Sequence, residues 1–400
     1  MTLGRLYGNI ARASRAPPHQ PVLPWAAGRV KSEIAPNQSE LNEERDRMKT
    51  RTAILTKPYG PLEVGEMEVP DPKVDQVVVK LSATGVCLSQ IHQIELTPAD
   101  KCPNLLGHEG VGVVTKIGKG ITHLKEGDAA IVTWVPRAGY PGRQFIDNVS
   151  LGMTYKGKAT FGPVCTFAED TIAHEQLVVP IKSEDAFPEA SIVGCAVLTG
   201  AGAVLHTAKV RPEDSVAVIG AGGVGLSAIK MASLLQAYPV IAIDIVDEKL
   251  AYAKEWGATH TINSKKEDPI KRVWEIVPKG LDYVFDAVGT RATHEVMIPM
   301  TRSGGPGANN VGGMAVLIGW PQKEMTLNAE HFVYHQRQYR GSHGSSLPDR
   351  DFPMYLRLSR EGKFPLKKLV SRSYTLDQAQ QSIDDLKNGK IQGRAILKFR

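Results

Sequence analysis

The stretch Ser215-Val216-Ala217-Val218-Ile219-Gly220-Ala221-Gly222-Gly223-Val224-Gly225 joins an apolar run to a turn rich in glycine, and a mainly apolar segment follows it. Gly220 permits a tight turn, Gly222 lets phosphate groups approach the backbone, and Gly225 allows a helix to pack closely on the strand. The N-terminus of that helix binds the phosphate charge. The stretch therefore predicts a dinucleotide site within an α/β domain.

An acidic residue extends this prediction to the kind of dinucleotide. Asp244 ends the next predicted strand, 239–243, about 20 residues beyond the glycines. A carboxylate there accepts hydrogen bonds from the adenosine ribose hydroxyls and repels a 2′-phosphate, which favours NAD over NADP. The alternative is an ordinary turn between strand and helix, with Asp244 a solvated acid at a strand end.

The spacing of the predicted strands divides the chain into two domains. Further predicted strands at 283–285 and 314–318 follow at the spacing of βαβ units, so residues 196–342 predict a doubly wound parallel sheet. Residues 48–195 instead carry many short strand patterns between glycine and proline, which predict a β-rich domain. The tail 343–400 ends in a strand pattern, and we expect it to return to the β-rich domain. At 400 residues and 42% hydrophobic composition, each domain can bury its own core.

The first residues differ from the rest of the chain. Residues 1–47 show no sustained periodicity, and the first 32 contribute five of the six net positive charges. We expect 1–47 to be an N-terminal extension: a disordered segment, a mitochondrial transit peptide, or a wrongly assigned start before Met48. The nearly neutral remainder argues against a nucleic-acid partner.

Cysteine content and hydrophobicity bear on the cellular setting. Four cysteines in 400 residues are too few for a disulfide framework, so we expect a reducing compartment, the cytoplasm, or the mitochondrion if 1–47 is a transit peptide. The longest uncharged stretch, 190–205, is shorter than a membrane span and predicts a buried segment, with no membrane partner.

Three separated residues are candidate metal ligands: Cys87, His108 and Cys195, each at a glycine-flanked position. Two thiolates and one imidazole suit a borderline-soft divalent metal such as zinc. Three protein ligands leave the fourth tetrahedral position open, which is typical of a catalytic site. Taken singly, a buried cysteine is more often a small hydrophobic residue than a metal ligand.

Five motifs in order resemble those of the zinc-containing alcohol dehydrogenases of the medium-chain dehydrogenase/reductase superfamily. They are Gly-Val-Cys-x-Ser-x-x-His at 85–92, Gly-His-Glu-Gly at 107–110, Gly-Asp at 127–128, Gly-Cys-x-x-x-Thr-Gly at 194–200 and the glycine stretch at 220–225. The resemblance covers residues 48–400. It implies a GroES-like catalytic domain, formed by 48–195 and 343–400, around a Rossmann NAD-binding domain at 196–342.

The resemblance also implies roles in the chemistry. The three candidate ligands would hold a catalytic zinc, which lowers the pKa of the alcohol. Glu109 would lie behind the metal and ligate it transiently, or it would pair with a nearby basic residue. Ser89 would accept the alcohol proton and pass it through the nicotinamide ribose to His92 and solvent. The alternative for His92 is a surface histidine.

Cofactor positions follow from the same resemblance. Thr199 and Val224 match positions beside the nicotinamide, Lys249 one near the adenosine ribose, and Arg394 one at the pyrophosphate. A solvated charge is the alternative for Lys249. The expected NAD-binding set is Thr199, Gly220, Gly222, Gly223, Val224, Gly225, Asp244, Lys249 and Arg394.

The activity expected from the resemblance is NAD-linked, zinc-dependent interconversion of primary or secondary alcohols with aldehydes or ketones. Cys195 favours this branch over polyol and threonine dehydrogenases, which usually lack that cysteine. A dehydrogenase of a formaldehyde–thiol adduct or of a polyol is the alternative within the superfamily. An NAD-binding protein without turnover is the alternative of another class. Among relatives, a homodimer or homotetramer is the expected assembly.

The chain departs from the family pattern in three places. Leu88 stands where a basic residue often binds pyrophosphate, so weaker cofactor binding is expected. Gln90 stands where an Asp is usual, so the metal site should be more positive and the alcohol pKa lower. The segment 135–165 lacks the four-cysteine lobe of many relatives and holds only Cys165. One catalytic zinc per chain, with no structural zinc, is therefore predicted.

Overall fold

The computed structural model describes residues 47–137, 151–322 and 324–399. The predictions for the N-terminal extension, and for residues 138–150 of the 135–165 segment, lie outside the described residues. The strands are β1 Met48–Leu55, β2 Leu62–Val69, β3 Gln76–Val86, β4 Gly110–Ile117, β5 Ala129–Val132, β6 Thr154–Tyr155, β7 Lys158–Ala159, β8 Asp170–His174, β9 Val178–Pro180, β10 Val216–Ile219, β11 Val240–Asp244, β12 His260–Asn263, β13 Tyr283–Asp286, β14 Met314–Leu317, β15 Gln338–Gly341, β16 Val370–Thr375 and β17 Arg394–Lys398.

Helices alternate with strands mainly after residue 195. The α-helices are α1 Leu88–Leu96, α2 Ala196–Gly202, α3 Gly223–Leu234, α4 Asp247–Glu255, α5 Pro269–Ile276, α6 Arg291–Met300, α7 Glu330–Val333, α8 Pro348–Arg360, α9 Leu366–Leu369 and α10 Ala379–Lys387. A 3₁₀ segment, Pro188–Gly194, precedes α2, and a π-helical segment, Ala203–Ala208, continues it.

The parallel sheet predicted from the glycine stretch and its neighbouring strands is confirmed. Its six strands lie in the order β12-β11-β10-β13-β14-β15, and all neighbours are parallel. β11 and β12 lie on one side of β10, and β13, β14 and β15 lie on its other side, so the strand order reverses at β10. The loops that leave the carboxyl ends of such strands form a crevice, which is where open α/β sheets bind ligands.

Two strands of this sheet have weak patterns in the sequence. β12 reads His-Thr-Ile-Asn and β15 reads Gln-Tyr-Arg-Gly. Both lie at the outer edges of the sheet, where burial is partial and side chains need not be apolar. The inner strands of the sheet are buried on both faces and therefore have continuous hydrophobic runs, which can be recognised in the sequence.

The β-rich domain is built around β3. This long strand pairs antiparallel with β4, β8 and β17 in a seven-stranded sheet, and a separate small sheet has the order β1-β2-β6-β7. β17 comes from the end of the chain, and Ala395 pairs with Val86. The C-terminal tail therefore lies directly beside the residue that precedes Cys87.

One apolar cluster runs through both halves of the structure. It includes Ala83 and Ile131 of the first sheet, Val197 of α2, and Val218 and Phe285 of the parallel sheet. Because α2 is packed within this core, the position of Cys195 at its start is fixed by burial on all sides.

The apolar segment predicted to be buried lies inside this cluster. Residues 190–204 are buried throughout. Within the described parts of the chain, no single helix has the length and hydrophobicity to span a membrane. One bent pair, Pro188–Gly194 with Ala196–Ala208, meets that test by length and composition only.

Truncating the aromatic centre of the large cluster should destabilise the fold. Phe364 is fully buried, and its ring centroid lies 6.1 Å from that of Trp256 and 6.4 Å from that of Tyr355. Phe364→Ala should lower the free energy of unfolding by about 3–5 kcal/mol, measured in urea, because it leaves a cavity. The matched variant Phe332→Ala removes a ring that is 37% exposed and should cost less than about 0.5 kcal/mol. Equal losses in the two variants would contradict this description of the core.

Candidate catalytic metal and dinucleotide site

The structure brings the three candidate metal ligands together. Cys87 follows β3 and precedes α1, His108 lies in the turn before β4, and Cys195 lies between the 3₁₀ segment and α2. One ligand atom from each, together with a carboxylate oxygen of Glu109, lie within 4.8 Å of one another. Both cysteines are buried. Two sulfurs, an imidazole nitrogen and a spare carboxylate are a donor set that fits zinc.

Strand pairing and one close backbone approach create this convergence. Thr84 of β3 pairs with Gly110 of β4, which sets the end of one strand beside the start of the other. At Gly85, an added Cβ would lie only 2.3 Å from the Glu109 carboxyl carbon. A side chain at that position would displace the carboxylate, so glycine is required for Glu109 to enter the cluster.

The two sulfurs lie within hydrogen-bond distance of each other. Cys87 Sγ lies 3.9 Å from Cys195 Sγ. The Cys195 thiol donates and lowers the pKa of Cys87 well below its usual range, although burial opposes this effect and Arg394 supports it. The same hydrogen bond and burial raise the pKa of Cys195. Cys87 is therefore the sulfur that more readily becomes a thiolate, the form that binds metal.

Glu109 is paired with a basic residue as well as placed among the ligands. Its side chain is fully buried, and Arg394 Nη2 lies 3.1 Å from Oε1 and 3.3 Å from Oε2. Burial raises the pKa of Glu109 to about 7, against the opposing charge of Arg394. Burial also opposes the charge of Arg394, but Cys87, Glu109 and Cys195 together raise its pKa. The structure thus shows the pairing of Glu109 with a basic residue, while its transient ligation of the metal stays a prediction.

Gln90 contacts two of the three ligand residues. Its Oε1 accepts a hydrogen bond from the Cys87 backbone N–H at 2.6 Å, and its Nε2 lies 3.0 Å from His108 Nδ1. The side chain has no exposed surface. Because Nδ1 is taken by Gln90, the imidazole has only Nε2 to offer to the metal cluster.

The two predicted relay residues lie on one side of α1. Ser89 and His92 are three positions apart, and Ser89 Oγ lies 3.4 Å from His108 Nε2. His92 is half-buried and stacks on Trp320, with ring centroids 5.3 Å apart and planes inclined by 22°. Trp320 follows β14 in the other half of the chain, and no local motif marks it, so sequence reasoning missed this contact.

The glycine stretch has the geometry of a phosphate cradle. An added Cβ at Gly225 would lie 1.7 Å from the Gly220 carbonyl oxygen, whereas one at Gly222 would project into open space. The first observation shows how closely α3 meets β10. The second shows room for a ligand to approach the backbone, as the pyrophosphate of NAD requires.

Asp244 is held at the mouth of this cradle. Its Oδ2 accepts from Ala221 N at 2.8 Å, and its Oδ1 accepts from Ile245 N at 2.7 Å and Val246 N at 3.0 Å. The carboxylate is half-buried, and its contact with the ribose hydroxyls stays a prediction. Leu88, on the exposed start of α1, adds no charge to this site.

The remaining cofactor positions differ in their surroundings. Thr199 Oγ1 is buried and has no hydrogen-bond partner among the described residues, so a polar ligand group such as a carboxamide can satisfy it. Val224 is half-buried, and its carbonyl oxygen would lie 2.1 Å from an added Cβ at Gly200, so α2 and α3 touch there. In the described parts of the chain, Lys249 forms no hydrogen bond or ion pair, and its role stays a prediction.

Two family descriptions match the chain on either side of Cys195. Residues 73–183 match the alcohol dehydrogenase GroES-like domain, and residues 223–361 match the zinc-binding dehydrogenase family. The predicted combination of a GroES-like half with a Rossmann sheet is therefore confirmed.

Several similar proteins align over most of the chain. Alcohol dehydrogenase 6 of Peromyscus maniculatus is 30% identical over 367 residues, which cover 86% of this chain and 96% of that protein. An S-(hydroxymethyl)glutathione dehydrogenase of Escherichia coli is 30% identical over 368 residues, which cover 86% and 98%. The crystal structure of benzyl alcohol dehydrogenase from Acinetobacter calcoaceticus superposes with a TM-score of 0.79 at 27% identity, covering 88% of this chain and 100% of that one.

Removing one sulfur ligand should empty the metal site. Cys195→Ala should bind less than a tenth of the zinc of the unaltered protein, because two remaining ligands hold zinc poorly. Metal analysis after gel filtration measures the zinc content. Cys102→Ala removes a cysteine that lies outside the cluster and should retain full zinc. Zinc retained in full by Cys195→Ala would contradict the ligand assignment.

Breaking the buried ion pair should destabilise the protein. Glu109→Gln leaves the Arg394 charge buried without its partner, and the side chains of the pair are only 0% and 6% exposed. The expected loss in unfolding free energy is about 3–5 kcal/mol. The double variant Glu109→Gln/Arg394→Met should lose less than the sum of the two single changes.

An exposed ion pair provides the matched control for this double-mutant cycle of Glu109 and Arg394. Glu361→Gln removes an i,i+4 partner of Arg357 whose side chains are 35% and 54% exposed, and it should cost less than about 1 kcal/mol. Urea unfolding of metal-free protein measures all four variants. Additive losses in the Glu109–Arg394 cycle would show that the two charges do not support each other.

Proposed function

The chain belongs to the zinc-containing alcohol dehydrogenases of the medium-chain dehydrogenase/reductase superfamily, and we propose that its substrates are primary or secondary alcohols. As a member of this family it is an NAD-dependent oxidoreductase. The products would be the corresponding aldehydes or ketones. The observation that carries the proposal is the convergence of ligand atoms of Cys87, His108 and Cys195 within 4.8 Å of one another.

Zinc and NAD would supply the reactive groups, and the side chains of the protein would bind and orient them. Zinc held by Cys87, His108 and Cys195 supplies a Lewis acid that lowers the pKa of the alcohol hydroxyl, and NAD supplies the hydride acceptor. The chain holds and orients both groups. The buried sulfur ligands and the dense core around α2 keep bulk water away from the reacting carbon.

Ser89 and His92 move the alcohol proton in this proposal. Ser89 Oγ accepts the proton, since it lies at the edge of the ligand cluster, 3.4 Å from His108 Nε2. His92 lies three positions further along the same helix and is half-buried, and it would carry the proton onward to solvent. An imidazole side chain can both accept and donate a proton, so His92 is chemically suited to this step.

The carboxylate of Glu109 has a proposed role in the exchange of water and alcohol at the metal site. Glu109 is close enough to the other ligand atoms to join them, and Arg394 holds it in place when it does not. We propose that Glu109 would supply a further, transient ligand to the metal during exchange of water and alcohol. We also propose one zinc per chain.

A formaldehyde–thiol adduct is the second candidate substrate. The Escherichia coli relative named for S-(hydroxymethyl)glutathione is as similar to this chain as the alcohol dehydrogenase of Peromyscus maniculatus, at 30% identity each. The hydroxymethyl group of such an adduct is itself a primary alcohol, so the same ligands and relay would act on it.

A screen of NAD reduction should identify the substrate class and test the relay. The zinc-loaded protein should reduce NAD with alcohols of varied size in the absence of any thiol. Ser89→Ala should lower kcat roughly 10²–10⁴-fold, while zinc content and NAD binding stay unchanged. Ser373→Ala, an exposed serine of β16, is the control and should keep full activity.

Each outcome of the screen has a definite meaning. NAD reduction with formaldehyde only when glutathione is present would replace the alcohol proposal by the adduct. Full kcat in Ser89→Ala would show that the proton leaves by another route. Zinc-loaded, NAD-binding protein that oxidises none of the alcohols or the adduct would overturn the proposed function.

A further inference from the structure

We propose that Gln90 is a positioning residue that opposes metal binding, because its single amide oxygen faces two N–H groups once His108 is a ligand. This inference rests on the zinc site of the proposed function. It concerns how tightly the chain holds zinc, and it can fail while the alcohol chemistry stands.

The backbone of Cys87 fixes the orientation of the Gln90 amide. A backbone N–H can only donate, so the atom 2.6 Å from Cys87 N must be the amide oxygen. The side chain is 0% exposed, and no solvent surface offers this N–H an alternative acceptor. Reversing the amide would place its NH₂ group against the Cys87 N–H, donor against donor.

The orientation of the amide then fixes the proton on His108. The Gln90 NH₂ group lies 3.0 Å from His108 Nδ1 and can only donate, so Nδ1 must accept. In a neutral imidazole one nitrogen accepts and the other carries the proton. The proton of His108 therefore lies on Nε2, the nitrogen that faces Ser89 and the sulfur cluster.

Metal binding requires the opposite arrangement. A nitrogen ligates zinc with its lone pair, so the Nε2 proton must leave and a neutral ring must take a proton on Nδ1. The ring keeps the same number of protons, but Nδ1–H now meets the Gln90 NH₂ group. With one amide oxygen for two donors, either the Cys87 N–H or the His108 N–H loses its acceptor, which is costly beside a side chain that is 0% exposed.

A carboxylate of the same length would remove this conflict. Glu at position 90 has two oxygens, one for the Cys87 N–H and one for His108 Nδ1–H, in the space the amide fills. The added charge also favours a nearby cation. Gln90→Glu should therefore bind zinc more tightly by roughly 10- to 100-fold, the range seen when partners of metal ligands change.

The proton position can be observed directly by ¹⁵N NMR of the histidine side chains, with reduced, metal-free protein and no NAD or alcohol. His108→Ala identifies the signals of His108. In the unaltered protein we expect Nε2 to carry the proton, and addition of zinc should move it to Nδ1. In Gln90→Glu we expect Nδ1 to carry the proton before and after zinc is added.

Competition with a chelator measures the zinc affinity of the same samples. Gln93→Glu is the control, because it adds a carboxylate to α1 one turn further on, where Gln93 Nε2 instead donates to Leu105 O at 3.3 Å. The control should bind zinc as the unaltered protein does. Tightening confined to Gln90→Glu supports the inference.

Two results would overturn the inference. One is a metal-free, unaltered protein with the His108 proton on Nδ1, a measurement that does not depend on how Gln90→Glu folds. The other is Gln90→Glu with no gain in zinc affinity. A protein that binds no zinc in any variant would instead count against the proposed function.

Discussion

The buried ion pair between Glu109 and Arg394 is the contact on which the geometry of the site depends. Arg394 also donates to the carbonyl oxygen of Val86 at 3.2 Å, directly before Cys87, and its side chain fills the space that a Cβ on Gly223 would enter. One guanidinium thus touches the metal ligands and the dinucleotide turn. Because neither charge can reach water, each depends on the other for its stability in the core.

This pair explains why the chain end belongs to the catalytic half. β17 pairs antiparallel with β3, and that pairing delivers Arg394 to Glu109, which lies 285 positions earlier in the chain. The strand supplies backbone hydrogen bonds and the arginine supplies charge. The dinucleotide turn and the cluster of candidate metal ligands are therefore connected through a single side chain.

The parts of the site that could be predicted from sequence are those with a local signature. The glycine stretch works through the backbone of a single turn, and Asp244 ends the next strand, so their spacing along the chain is their spacing in space. The combination of two cysteines and one histidine at Cys87, His108 and Cys195 predicts zinc, and the fold shows that the three side chains converge. The edge strands β12 and β15, by contrast, carry polar residues and give no clear periodicity.

The sequence by itself determined the α/β class, the dinucleotide turn and the kind of metal that the chain can bind, because each depends on residue type or on neighbours in the chain. Only the tertiary structure decided that Arg394 pairs with Glu109, that Trp320 stacks on His92, and that the oxygen of Gln90 faces the Cys87 N–H. The first two contacts join distant segments. The third depends on which way an amide points, and that is set by strand pairing and packing rather than by any spacing along the chain.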